Sequence, residues 1–387
     1  MTAWVHGVGT SYFGKQRETA LTSLAWTAMQ EAFADADAGE SQPAGVAVDA
    51  VYVGSVFGAP GVAQRALHGL GIAGPPVITI ENACASGTSA FHEAAAAVDA
   101  GRYERVLVLG LEQMSTRFRG PILPEETDPE GRTGLAMPAL YAMAASRWLA
   151  EGRTTREQMA AVSVKNHAHA LHNDRAQYRG RYTTSEVLAS PLIADPLTLL
   201  ECSPISDGAA AAVVGRDRGV ARDVRVRASV QQAGGLWDHT SQDVWGYRVV
   251  QDTARAAYDA AGIGPQDVDL AEVHDAFTIG ELATTEALGL AAVGEAGSNA
   301  LAGRSALGGA QPVNPSGGLL SRGHPLGATG VAQLAEVVWQ LRGEADGRQV
   351  AGARLGLVET MGGGVAGIDG NACVVAVLER NGQLGDA

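Results

Sequence analysis

Two stretches of this 387-residue chain repeat one plan. Residues 76–110 (PVITIENACASGTSAFHEAAAAVDAGRYERVLVLG) run from a β-branched segment through a turn of small residues into an alanine-rich helix, and then into a second apolar strand. That is a βαβ unit. Residues 323–359 (GHPLGATGVAQLAEVVWQLRGEADGRQVAGARLGLVE) give a glycine-rich turn, a long helix and another strand. A plan met twice predicts two α/β halves of similar layout.

The flanking segments fit those halves. WVHGVG (4–9) and AVDAVYVGSVFG (47–58) read as strands, and 18–38 reads as an amphipathic helix with apolar residues recurring at three and four. DGAAAAVVGRD (207–217) returns the chain to the first sheet, and VRVRASVQQAGG from 224 opens the second half. Between them lies a different texture, with Pro121, Pro124, Pro129 and Pro138 and a helix expected to begin at Thr154 with Glu157 three residues on. The predicted division is therefore an N-terminal half (1–117 with 197–221), an inserted loop domain covering the active site (118–196) and a C-terminal half (222–387).

A net charge of −14 argues against nucleic acid, whose phosphates need a basic face. Residues 117–182 are locally basic, including Arg117, Arg119, Arg147, Lys165, Arg175, Arg179 and Arg181. They fit either an anion-binding patch or a helical surface with ordinary ion pairs. No leader pattern opens the sequence and no stretch approaches the roughly 18 apolar residues of a membrane span, so a cytoplasmic protein is expected. The three cysteines, Cys84, Cys202 and Cys373, are far apart and suggest neither disulfides nor a zinc motif. GVG near the start lacks the third glycine of a dinucleotide fingerprint.

Cys84 falls at the expected first turn of a helix, where unpaired N–H groups and the helix dipole favour thiolate over thiol. A free cysteine is also an ordinary core residue, so the pattern alone leaves both readings open. His324, in GHPLGATG, sits in a turn whose glycines Gly327 and Gly330 would free a helix N-terminus, and histidine is the side chain able to take a thiol proton. His274, in EVHDAFTIGEL, ends another strand. Three polar strand-end turns suit a site at the carboxyl edge of parallel strands. His167, His169 and His172, in KNHAHALHND, do not share one helix face and predict no metal site.

ACASG, HDAF, NPSGGLLSRGHPLGATG and MGGG, in this order, resemble the thiolase superfamily, in particular its sterol-carrier-protein-type branch. The likeness runs along the whole chain. It implies a five-layered α-β-α-β-α fold and a homodimer. It implies a coenzyme A thioester as substrate, with no tightly bound cofactor and no metal. Residue by residue, it implies that Cys84 is acylated, that His324 activates it, and that His274, where other thiolases carry asparagine, polarises the thioester oxygen with His324. The N–H groups of Cys84 and Gly362 would form the oxyanion hole, and Asn314 would support the histidines.

Two departures stand out. The second catalytic cysteine of ordinary thiolases is replaced by Thr360, and the branch's own alternative position by Ala276. Neither can serve as a general acid/base. The resemblance thus implies a Claisen-type acyltransferase whose proton transfer differs. It leaves open a retro-aldolase acting on an acyl-CoA side chain, or a subunit active only with a zinc-ribbon/OB-fold partner protein. Cys202 and Cys373 are expected to be structural.

Overall fold

A computed structural model of the chain describes residues 3–38, 45–123, 127–238, 240–241 and 243–382. Pro124, counted above in the insertion, lies outside them. In the first half come β1 (Ala3–Thr10), α1 (Leu21–Ala36), β2 (Ala50–Gly54), α2 (Val62–Gly69), β3 (Val77–Ile80), α3 (Ser86–Asp99) and β4 (Arg105–Gln113). An excursion follows, carrying α4 (Pro129–Arg132), α5 (Met137–Ala150), α6 (Arg156–Ala170), α7 (Thr184–Leu188) and the ribbon β5 (Leu192–Ala194) and β6 (Leu197–Thr198). It ends at β7 (Asp207–Arg216). The second half holds β8 (Val224–Gln232), α8 (Tyr247–Ala261), β9 (Leu270–Glu272), α9 (Thr278–Ala287), α10 (Ala296–Leu301), α11 (Gly318–Arg322), α12 (Leu326–Arg342), β10 (Leu355–Gly362) and β11 (Ala372–Glu379).

The sheet order is β3-β2-β4-β7-β1-β8-β11-β10-β9. Read from the middle outwards, the halves match. β7 is antiparallel to β1 and β4, as β11 is to β8 and β10. β2 is parallel to β4, as β9 is to β10, and a parallel bridge from Ala271 to Val313 stands where β2 meets β3. The halves meet where Trp4 and Val5 of β1 pair with Arg225 and Val224 of β8. The stretch 76–110 differs from a simple βαβ unit in one respect: β2 lies between its two strands and pairs with both.

Helix burial reveals the layers. α1 buries one stripe (Leu24, Ala25, Ala28, Met29, Ala32, Phe33, Ala36), and so does α8 (Tyr247, Val250, Ala254, Ala257, Tyr258, Ala261 among others), the mark of an outer helix. In α12 every residue except Trp339 is buried. A helix buried all round belongs to a middle layer. α12 packs on α3, on β4 and β7 of the first half, and on β9 and β10 of the second, giving the order α-β-α-β-α.

Close packing there depends on missing side chains. A Cβ at Gly87 would lie 2.6 Å from Gly327 O, one at Gly327 2.6 Å from Gly54 O, and one at Gly330 2.4 Å from Thr88 Cγ2. The glycines of GHPLGATG therefore serve helix-to-helix and helix-to-sheet contact rather than freeing a helix N-terminus. α6 likewise starts one residue later than expected. Thr155, not Thr154, is its N-cap, in a capping box with Gln158, while Thr154 is buried. No described helix is long and apolar enough to cross a membrane.

Candidate active site

The site forms where α3 and α12, the two middle-layer helices, begin. Cys84 sits ahead of α3, one residue before its N-cap Ala85, on an elbow whose preceding residue, Ala83, has φ +48°. A left-handed alanine costs about 1 kcal/mol, and local hydrogen bonds hold it. Ala83 N donates to Glu81 Oε1 (2.7 Å), Asn82 N to Ser86 Oγ (2.9 Å), Ser86 Oγ to Ala83 O (2.6 Å) and Asn82 Nδ2 to Ser89 Oγ (2.9 Å).

Burial reverses the expectation of a resting thiolate. Although Cys84 keeps some surface exposure, protein hems the sulfur in, and loss of water pushes the thiol up to about 12, with the carboxylates of Glu112 and Glu81 adding to the rise. A backbone N–H contact lowers it, but by less than burial raises it. Cys84 rests as a thiol.

Its proton has an acceptor. His324 Nε2 lies 3.3 Å from Cys84 Sγ, and His324 Nδ1 lies 2.8 Å from Thr329 Oγ1. Thr329 gives its only hydroxyl proton to Pro325 O (3.0 Å), so it can only accept from the ring. The tautomer follows: Nδ1 carries the hydrogen and the Nε2 lone pair faces the thiol. His324 N is anchored by Ser206 Oγ (3.0 Å). Burial, then His274 and Arg322, hold the imidazole well below its ordinary range, so the pair is neutral on both sides.

His274 follows β9 by two residues, and its ring centre is 5.3 Å from that of His324. Burial pulls it down to about 4, and its Nε2 has no partner among the described residues. The backbone holds it in place: His274 N donates to Glu359 Oε2 (2.9 Å), and Val273 N donates to Asn314 Oδ1 (2.8 Å). Asn314, at φ +56°, thus holds the strand end directly before His274, and its Nδ2 donates to Glu281 Oε2 (2.8 Å). Gly362 completes the cluster; a Cβ there would stand 2.0 Å from Asn82 O, so only glycine lets β10 approach the elbow.

Several residues were missed by the sequence reading. Asp275 accepts from Leu319 N (2.6 Å) and Asn166 Nδ2 (2.7 Å), tying the HDAF turn to the PSGG turn and to α6. Lys165 bonds Glu281 (2.9 Å) beneath them. Tyr141 of α5 lies against Phe277, with ring centres 4.5 Å apart. No local sequence signal marks Asp275 or Lys165; Glu281 alone is a carboxylate within an otherwise uncharged first turn of α9, and it demands a partner when buried.

The departures are also visible. Thr360 is buried and gives its hydroxyl proton to Gln333 Oε1 (2.7 Å), and Ala276 is buried. Cys373, in β11, faces Glu359, and Cys202 bonds Thr198 O (3.3 Å). The basic stretch is largely consumed in ion pairs: Arg147 with Glu151, Arg153 with Glu286, Arg156 with Glu201, and Arg175 with Glu31. That favours the ion-paired surface over an anion patch. His167 bonds Ser163, and His169 bridges Asn314 O and Leu307 N, so neither faces the site.

Comparison with known proteins gives matches along both halves. Residues 5–218 match the family model for the thiolase N-terminal domain, and residues 234–378 that for a thiolase C-terminal domain-like unit. An acetyl-CoA acetyltransferase of Methanothermobacter thermautotrophicus is 40% identical over 93% of this chain and 96% of that protein. Human sterol carrier protein 2 is 37% identical over 94% of this chain and 70% of that protein. Subunit BbsB of a benzoylsuccinyl-CoA thiolase from Thauera aromatica is 35% identical over 93% and 94%. Among solved structures, an Ltp2-ChsH2(DUF35) aldolase superposes with TM-score 0.83 at 24% identity over 98% of each chain, a likeness of fold alone.

Proposed function

Since the chain belongs to the thiolase family, we propose that it forms or cleaves a carbon–carbon bond next to a coenzyme A thioester through an acyl-Cys84 intermediate. The family makes it a thiolase-like acyltransferase; the residue roles are our reading. The observation that carries them is the 3.3 Å contact from Cys84 Sγ to a His324 Nε2 whose lone pair is fixed by Thr329.

The thiol proton moves to His324 Nε2 as sulfur attacks the thioester carbonyl. The backbone N–H groups of Cys84 and Gly362 receive the developing oxyanion, and coenzyme A leaves as a thiol protonated from His324. In the second step His274 donates to the oxygen of the incoming thioester. With Thr360 and Ala276 in place of a second thiol, His324 Nε2, free again once coenzyme A has left, accepts the α-proton; the carbanion attacks the acyl-Cys84 carbonyl, the carbon–sulfur bond breaks, and the departing sulfur takes that proton back.

Further points of the reading concern surroundings. A homodimer is supported by β3, an edge strand whose four residues are only half-buried or exposed. Three unpaired cysteines suit the cytoplasm. A partner protein is supported by the relative named as a subunit of its thiolase. No tightly bound cofactor is needed for this chemistry.

The test is direct. Incubation with acetyl-CoA should add one acetyl group to the intact protein by mass spectrometry, and Cys84→Ser should abolish it. A wild-type protein that gains no mass yet cleaves a hydroxyacyl-CoA would instead be a retro-aldolase of the same fold. Activity that appears only with a copurifying zinc-ribbon protein and survives Cys84→Ala would make the chain a scaffold.

A further inference from the structure

We propose that Cys84, His274 and His324 also form a binding site for a single thiophilic divalent cation, zinc being the natural one, and that its occupation silences the enzyme.

One sulfur and two imidazole nitrogens lie within 4.8 Å of one another. Tetrahedral zinc has bonds of about 2.3 Å to sulfur and about 2.0 Å to nitrogen, which sets these donors about 3.3 to 3.6 Å apart. Cys84 Sγ and His324 Nε2 already stand at 3.3 Å. The third donor needs to close by roughly 1 Å, a small swing of one ring. Independently, His274 is 4% exposed and its Nε2 has no hydrogen-bond partner among the described residues. A buried imidazole with an unpartnered nitrogen, beside a thiol and a second imidazole, is a ligand position awaiting a Lewis acid.

The supports suit a metal as well. His324 Nδ1–H is donated to Thr329, the outer contact that fixes the ligating tautomer in metal sites. Each donor rests on a different rigid element: the elbow before α3, the end of β9 and the turn before α12. Three protein ligands leave a fourth position for water.

Binding forms one metal–sulfur and two metal–nitrogen bonds, releases the thiol proton to solvent and displaces water from the cation; nothing is oxidised or reduced. The metal then occupies the sulfur lone pair that would attack a thioester and the His324 lone pair that would accept the proton. The site itself rests on geometry alone, while silencing rests on the acyl-Cys84 reading.

Cobalt(II) is the probe. Titrating it into the full-length enzyme should give one equivalent of binding, with a thiolate-to-cobalt charge-transfer band in the near ultraviolet and the strong visible bands of a tetrahedral centre. Zinc should displace it, abolish acetylation, and release activity again on chelation. Cys84→Ala should remove the charge-transfer band, with the near-isosteric Cys84→Ser as the second variant should the alanine protein not fold. His274→Ala should weaken binding at least tenfold, and Cys202→Ala should change nothing. A weak octahedral spectrum, or a band that survives loss of Cys84, overturns the proposal. A band in a protein that never gains an acetyl group leaves the metal site standing and sinks the acyl-enzyme reading, whereas acetylation without a band does the reverse.

Discussion

The two halves share a strand order and a central helix, yet they put different chemistry at equivalent places. Before α3 stands a thiol on an elbow strained at Ala83; before α12 stands an imidazole after Gly323 at φ +115°. The matching buried glutamates diverge too. Glu112, at the end of β4, takes three backbone donors, Val56 N (2.9 Å), Phe57 N (3.0 Å) and Gly327 N (3.3 Å), and so serves as a structural clasp. Glu359, near the end of β10, takes one among the described residues, His274 N (2.9 Å), with the Cys373 thiol 3.9 Å away. Internal symmetry supplies two equivalent sockets, and the residues filling them, a thiol in one and an imidazole in the other, give them different chemistry.

Removing the base tests that division most severely. His324→Ala should lower acyl-enzyme formation by about 10² to 10⁴, read by the rate of mass gain with acetyl-CoA, while the fold persists. Equal acetylation rates would end the assignment of unlike roles. Next comes the crossing of the two central helices. Gly330→Ala pushes a methyl to 2.4 Å from Thr88 Cγ2 and 2.6 Å from Thr88 N. It should cost about 3 kcal/mol or more in denaturant unfolding, because one of the two close atoms is backbone and cannot rotate away.

Asn314→Ala strips Val273 N of its acceptor and leaves alanine left-handed, for about 2 to 3 kcal/mol. The glutamate pair gives the smallest effect and the sharpest contrast. Burial raises both carboxyls from 4.5 to about 7, so the native state holds more protons than the unfolded chain between those values, and stability falls as pH rises through that window. Glu359→Gln should recover on the order of 1 to 3 kcal/mol above pH 7 and nothing near pH 4.5. Glu112→Gln should recover less or lose stability, since an amide nitrogen would face one of its N–H donors. Thermal melts of both variants at pH 5 and pH 8 compare them.

Much of this was legible before any coordinates. The strand–turn–helix–strand repeat marked both halves, and Cys84, His274 and His324 were each visible as polar residues at turns. The elements that escaped were those whose signal is not local. Asp275, Lys165 and Glu281 look like ordinary charges in sequence and become a buried network only when α6, α9 and the PSGG turn converge. The start of α6 shifted by one residue because Thr154 and Thr155 both offer a capping hydroxyl, and burial of Thr154 in the core made the choice.

Sequence by itself determined the α/β repeat, the standing of Cys84, His274 and His324 at turns, and the lack of a cysteine at positions 360 and 276, because periodicity and residue type survive in one dimension. Tertiary structure decided the resting protonation of Cys84, the tautomer of His324 and the role of the turn glycines. Those depend on who is excluded and who is near: on water stripped from a sulfur, on a threonine with one proton to give, and on two helices close enough to forbid a methyl group.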